Sequence, residues 1–272
     1  MQRTVSLGPG LPDVCRLGLA TRGGSRLRPA EVEHALSRGV NYLNWCGHPD
    51  GLSQAVARLG AARKRCILAV QFQARDREQA AREFHRILTE LATDYLDIAT
   101  LYYVESEDEW RQLTAAGGVW EYLEEQKRAG RLRLIGLTTH QRRLAASWAS
   151  TGKLDLLMIR YNAAHRGAET DLFPIARRLG LPVVTFTALR WKALLRPTPD
   201  DPPEFQPPPA AECYRFCLAN PDIAVVLAAP STRPELDEVL ALLDDWRPPA
   251  PADFDALRAH GDRVRRHAGA FP

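Results

Sequence analysis

The sequence predicts an α/β fold, a (β/α)8 TIM barrel with a C-terminal helical extension. Three observations lead there. Short apolar runs alternate with longer amphipathic ones along almost the whole chain. The runs are apolar enough to be buried on both faces, as in a parallel sheet covered by helices. Eight strand-plus-helix units can be counted, and about 250 residues is the usual size of such a ring. Periodicity alone leaves a doubly wound sheet open, because it does not close a ring.

The units follow in order. Residues 14–20 form the first strand, and a helix starts at Pro29, where a missing N–H costs nothing, with Val32, Ala35 and Leu36 on one face. Gly39 closes that helix, and 42–44 is the second strand, followed by a helix over 52–59. The third strand is 66–71 and its helix is 75–91. The fourth is 95–101, with a helix over 120–129 that Gly130 stops. The fifth strand, 134–138, precedes a helix over 142–150, and the sixth, 156–161, precedes one near 171–178. The seventh, 181–187, leads to a long loop and a helix over 209–219. The eighth, 223–228, leads to the helix 233–243. One domain is expected, with the barrel over about 14–243 and a helical tail over about 250–272.

Two proline-rich segments break the rhythm. Residues 196–209 lack backbone donors and favour extended structure, so they read as a rigid flap over the mouth or as an exposed spacer. Residues 247–251 read as a hinge or brace. The basic end, Arg258 to His267, reads as a solvated helix or as an anion contact.

Composition narrows the function. The chain has 272 residues, and 36 Lys and Arg against 33 Asp and Glu give a net charge of +3. That excess is too small and too spread to suggest nucleic acid. No apolar run is long enough to span a membrane, and the N-terminus lacks the apolar segment of a signal peptide. Five scattered cysteines point to a reducing cytoplasm, and no metal-ligand spacing appears. Walker, Rossmann and nucleophile-elbow motifs are absent from the sequence. The expected partner is a small molecule.

In such a barrel the chemistry sits where strands end. These ends are polar and aromatic: Thr21-Arg22, 44–50, Gln71, 102–105, 138–142, 160–166, 187–191 and 229–233. In 101–105, Leu-Tyr-Tyr-Val-Glu, a phenol meets a carboxylate, and a tyrosine near a cation can protonate an alkoxide; alternatively one tyrosine packs and Glu105 caps the next segment. In 138–143, Thr-Thr-His-Gln-Arg-Arg, the groups suit a phosphate or a helix cap. Arg160, within an apolar strand, calls for a partner, either a ligand anion or a carboxylate such as Glu105. Trp45, Glu105, Arg160, Asn162 and Trp191 are the expected pocket residues.

The order of these segments resembles the aldo-keto reductase superfamily from about 14 to 243. The likeness rests on Gly39-Val-Asn-Tyr-Leu-Asn44, Asp94-Tyr-x-Asp97, Gly130-x-x-Arg-x-Ile-Gly136, Tyr161-Asn162 and 183–189. It implies reduction of a small carbonyl compound with NADPH or NADH, held without a Rossmann domain. The family's catalytic tetrad falls on different residues here. The Asp position is Asn44, the Tyr position Pro49, the Lys position Gln71 and the His position Tyr102. Pro49 has no proton to give and Gln71 no charge, so the acid–base site is lost or rebuilt. Replacement candidates are Tyr102, His48 and His140, with Asp50 beside them. The resemblance assigns the cofactor to Thr138 and Thr139 (the usual Ser-Asn), Leu189, Arg190, Arg233 and Glu238, with Met158 replacing a Gln and Glu235 near a usual Arg. The alternative is a non-redox barrel of the same descent, a lyase, an isomerase or a ligand-binding pseudoenzyme.

Overall fold

The computed structural model describes residues 1–21 and 26–267. Arg22 and the Gly23-Gly24 turn lie outside the described residues, as do residues 268–272 of the tail. An antiparallel pair, β1 (Thr4–Val5) and β2 (Val14–Cys15), precedes the ring. The expected first strand is therefore split: β3 (Leu17–Ala20) alone enters the barrel. Leu7 and Val14 from this N-terminal segment join the barrel's interior cluster and plug its lower end.

The remaining elements alternate as expected. Helix α1 (Pro29–Ser37) has proline in its first turn and leads to β4 (Tyr42–Trp45). Helix α2 (Gly51–Ala57) is capped by Asp50, whose carboxylate accepts the Ser53 amide at 2.9 Å. Strand β5 (Ile67–Phe72) is followed by α3 (Arg77–Glu90), capped in the same way by Asp76. Strand β6 (Leu96–Leu101) precedes α4 (Glu107–Thr114) and α5 (Val119–Arg128). Strand β7 (Leu132–Thr139) precedes α6 (Arg142–Ala149), and β8 (Leu156–Arg160) precedes α7 (Ala168–Asp171) and α8 (Phe173–Leu179). Strand β9 (Val183–Phe186), α9 (Ala210–Leu218), β10 (Val225–Ala228) and α10 (Arg233–Leu240) complete the ring, and α11 (Pro251–Arg266) is the C-terminal extension. Strand β1 and helices α4 and α7 are not anticipated from the sequence.

Eight parallel strands close in the order β10-β3-β4-β5-β6-β7-β8-β9, so the doubly wound alternative is overturned. The interior is full. A Cβ on Gly18 would stand 2.9 Å from Leu227 and Val225, and one on Gly136 would stand 2.8 Å from Thr100. Both glycines therefore face inward where no side chain fits.

The lower half of the ring holds a buried ionic knot. Asp97 on β6 accepts Arg63 Nη1 at 2.7 Å and the Leu68 amide of β5 at 2.8 Å, and Arg133 of β7 lies 3.5 Å away. The Tyr95 ring lies between the same two guanidiniums, 4.3 and 4.7 Å from its centroid. Two of the segments that carry the family likeness, 94–97 and 130–136, thus meet at one point.

The C-terminal helix lies on the mouth side of the barrel. Gly261 lets it approach the loop after β8, where a Cβ would sit 2.2 Å from the Ala163 carbonyl oxygen. It also clamps the proline-rich segment. Arg263 donates to Asp201 at 2.5 Å, Arg266 to Asp200 at 2.7 Å, and Phe205 packs on buried His260 at 4.8 Å. The segment is thus braced, not a free spacer, and the basic helix end is paired with acids. Burial opposes ionisation of Asp201. The Thr198 amide and hydroxyl and Arg263 outweigh it and hold the carboxyl at about 2.

Two outcomes follow. Asp97→Ala leaves Arg63 buried without its partner, so urea unfolding should show a loss of about 3–5 kcal/mol. For Asp201 the folded pKa lies below the unfolded one, so its stabilisation is whole above about pH 4 and is lost as pH falls towards 2. The stability difference between wild type and Asp201→Asn should stay constant from pH 8 to about 4, then shrink towards zero on acidification.

Candidate active site

At the C-terminal ends of the strands lies a cavity of about 440 Å³. Inward positions of the strands supply its floor: Asn44, Gln71, Met158 and Phe186. The loops after β9 and β10 supply its rim, with Leu189, Trp191, Lys192, Ala229 and Ser231. A larger recess, about 850 Å³, opens at the opposite end beside the N-terminal strands. Its buried arginine, Arg16, donates to the carbonyls of Gln2, Asn220 and Ile223, so it serves the fold. In barrels of this kind chemistry belongs to the C-terminal end, and the smaller cavity is the candidate site.

Backbone strain marks the same place. Six non-glycine residues among those described have positive φ, and five surround this mouth: Tyr103 (44°), Thr187 (60°), Arg190 (49°), Trp191 (50°) and Lys192 (67°). Left-handed backbone costs an L-residue about 1–2 kcal/mol. Such strain persists where surrounding structure enforces it, and it clusters at functional sites.

Several expected residues meet here. Asn44 is fully buried, with Nδ2 3.8 Å from Cys46 Sγ and Oδ1 without a hydrogen-bond partner. Gln71 lines the floor beside it. Thr138 stands opposite Met158 in the ladder, buried, and its hydroxyl makes no hydrogen bond among the described residues. Leu189 and half-exposed Trp191 form the rim, and Arg190 between them is 6% exposed.

Tyr102 does not line the cavity; Tyr103 does. Strand alternation from Ile98 and Thr100 would turn residue 102 inward, but the left-handed turn at 103 resets it. The Tyr103 ring packs on Tyr102 (centroids 4.2 Å apart) and stacks on His140 (4.5 Å, 19° between planes). His140 Nδ1 lies 3.3 Å from Glu105, which also accepts the His140 amide at 2.9 Å. Glu105, His140 and Tyr103 thus form a connected series ending in a phenol at the cavity.

Other expected residues stand outside the cavity lining. His48 is exposed and outside the cavity lining; its carbonyl accepts Trp45 Nε1 at 2.8 Å. Trp45 points outward into the layer between strands and helices, because it lies one residue from inward Asn44. Thr139 is also on the outward parity, and its hydroxyl accepts the Gln141 amide at 2.9 Å, a helix-start role. Asn162 is buried but pins loops: Nδ2 donates to the Thr187 carbonyl at 2.8 Å, and Oδ1 accepts the Ala164 amide at 3.0 Å. Arg233 is exposed and paired with Asp237 at 2.8 Å, and Glu238 is exposed on the same helix. Glu235, which the resemblance puts about where the family often has an arginine, accepts from Lys192 at 2.5 Å.

Arg160 ends β8 on the inward parity, half-buried. Burial, then the charges of Arg190 and Arg142, lower its pKa to about 10. The reading of the sequence missed Tyr103 as the cavity tyrosine, along with Cys46, Phe186, Lys192, Tyr214 and Ser231. Parity signals Phe186, two residues from inward Val184; Tyr214 comes from α9 and has no local signal.

The sequence matches the model of the Aldo/keto reductase family over residues 26–228. None of the curated proteins matches it. Among solved structures it is similar to the aldo-keto reductase AKR11C1 from Bacillus halodurans in its holo form, with 20% identity and a TM-score of 0.74 over 97% of this chain and 96% of that one. It is also similar to an aldo/keto reductase from Klebsiella pneumoniae in complex with NADP and acetate, with 18% identity and a TM-score of 0.76 over 96% of each chain.

Proposed function

Taking as premise that the chain belongs to the Aldo/keto reductase family, we propose that it reduces a small carbonyl compound with NADPH or NADH, using Tyr103 as proton donor in place of the family's acid. The observation that carries this reading is the Glu105–His140–Tyr103 series ending at the cavity. The cofactor assignment is supported by buried polar atoms that make no hydrogen bond among the described residues, Thr138 Oγ1 and Asn44 Oδ1 among them. Polar groups left unmade in a buried site suit a ligand that completes them.

Thr138 would hold the nicotinamide amide, with Met158 beneath it. Leu189, Arg190 and Ser231 would hold the phosphates, and the exposed pair Arg233 and Glu238 would face the adenosine end. When bound, the nicotinamide supplies a hydride to the carbonyl carbon. Tyr103 gives its phenolic proton to the oxygen as that oxygen gains charge, and the product is the alcohol. The stack on His140, itself fixed by Glu105, keeps the phenol from rotating away. The open mouth lets water return the proton to Tyr103. Trp191, 50% exposed, stands where a lid over the reactants would stand.

The second reading, a non-redox barrel of the same descent, is favoured by one observation. Asn44, Pro49, Gln71 and Tyr102 bring no lysine, histidine or carboxylate to the tetrad positions. Titration with NADPH separates the two, because a cofactor at the rim should quench Trp191. With an aromatic aldehyde and NADPH, Tyr103→Phe should lower kcat by about 10²–10⁴-fold, the usual worth of a general acid, with NADPH affinity unchanged. Tyr102→Phe should retain turnover. Equal activity in Tyr103→Phe would remove Tyr103 from the reaction, and no quenching by NADPH or NADH would favour the non-redox reading.

A further inference from the structure

Two carboxamides share the floor of the cavity. Asn44 lies on β4 and Gln71 on the neighbouring strand β5, both on inward positions. Asn44 stands across the ladder from Ala69, and Gln71 is the next inward residue along β5, so the two are diagonal neighbours. Asn44 is fully buried and Gln71 is 9% exposed. Asn44 Nδ2 faces Cys46 Sγ at 3.8 Å, and its Oδ1 makes no hydrogen bond among the described residues. The Gln71 carboxamide likewise makes none among them.

A buried polar group left unmade costs about 1–3 kcal/mol. Two such groups on adjoining inward positions are explained by a bound molecule that completes both. The walls around them say what kind. Met158, Phe186, Leu189 and Leu227 are apolar, and Tyr103 and Trp191 are aromatic. Lys192 is the one charged side chain among the lining residues, and it donates to Glu235 at 2.5 Å. The site thus offers hydrogen bonds at its floor and no spare charge, which suits an uncharged, flat ligand. A carboxylate only accepts, so it would face the Asn44 oxygen with another oxygen. A hydrocarbon would leave both amides unmade. The edge of a cyclic amide carries an N–H and a C=O side by side, and it serves both.

We propose that Asn44 and Gln71 read a neutral cyclic amide, a lactam or imide, on the substrate. Asn44 Oδ1 accepts its N–H, and Gln71 Nε2 donates to its C=O. Thr138 is left to the nicotinamide amide. That the same molecule carries the ketone or aldehyde to be reduced rests on the reductase reading, but the amide site stands without it.

The test is calorimetric titration of the cofactor-free protein with 2-oxindole, a lactam, and with N-methyl-2-oxindole, which lacks the donor. Wild type should bind 2-oxindole about 10- to 100-fold more tightly, because the methylated ring leaves a buried acceptor unmade. Asn44→Leu should erase that preference and leave NADPH affinity within about twofold. Gln71→Met should weaken both lactams about 3- to 10-fold, since both keep the carbonyl. If Asn44→Leu does not fold, the wild-type preference and the parallel loss in Gln71→Met decide the matter. Equal binding of the two lactams would overturn the proposal. So would a preference that survives in Asn44→Leu, which would mark a steric effect of the methyl group. Isatin, a keto-lactam, separates the two readings. Lactam binding through Asn44 with no reduction of isatin by NADPH or NADH would uphold the amide site and count against the reductase reading. Equal reduction of isatin and N-methylisatin, without lactam preference, would do the reverse.

Discussion

The buried carboxylate of Asp97 sets the geometry on which the rest of the structure depends. It joins Arg63, the β5 backbone and Arg133 of β7 at one point in the lower barrel. A charge buried to that degree has one low-energy arrangement, so it fixes the register of three neighbouring strands. Register then sets height. Gln71 pairs with Thr100, Thr100 with Gly136, and Thr138 with Met158, and these rows lead to the mouth. The cavity floor follows from an interaction at the other end of the strands.

On the proposed function, scaffold and chemistry part in this chain. The segments that resemble the family, around Asp97 and Arg133, maintain the ring. The resemblance assigns the tetrad positions to Asn44, Pro49, Gln71 and Tyr102. On that assignment the changes fit together, since without a lysine no carboxylate is needed to hold it. What stands at the mouth instead is an aromatic stack backed by a carboxylate, in a ring of left-handed residues. The stability given up there, about 1–2 kcal/mol for each such residue, is offset by a lower barrel packed so fully that Gly18 and Gly136 have no room for a methyl group.

The fold was legible because parallel strands buried on both faces leave continuous apolar runs, and all eight are found in the ring. Helix α4 was legible in principle, since Ser106 followed by three acids is a start signal. Parity held more than was taken from it. Trp45 beside Asn44, and Thr139 beside Thr138, cannot both face inward, which separates wall from site. Tyr103 is different in kind. Its inward turn depends on a left-handed backbone at a tyrosine, which no propensity favours and only the surrounding tertiary structure enforces. The pairing of the basic helix end with Asp200 and Asp201 was hidden for a related reason, as some sixty residues separate the partners.

The most direct measurement is a crystal structure of the protein with NADPH and an unreactive amide analogue of a carbonyl substrate. The account predicts the amide oxygen within hydrogen-bond reach of the Tyr103 hydroxyl, about 2.6–3.2 Å, with the nicotinamide against Thr138 and Met158. An oxygen held by Tyr102 or His48, or a nicotinamide bound away from this cavity, would contradict it.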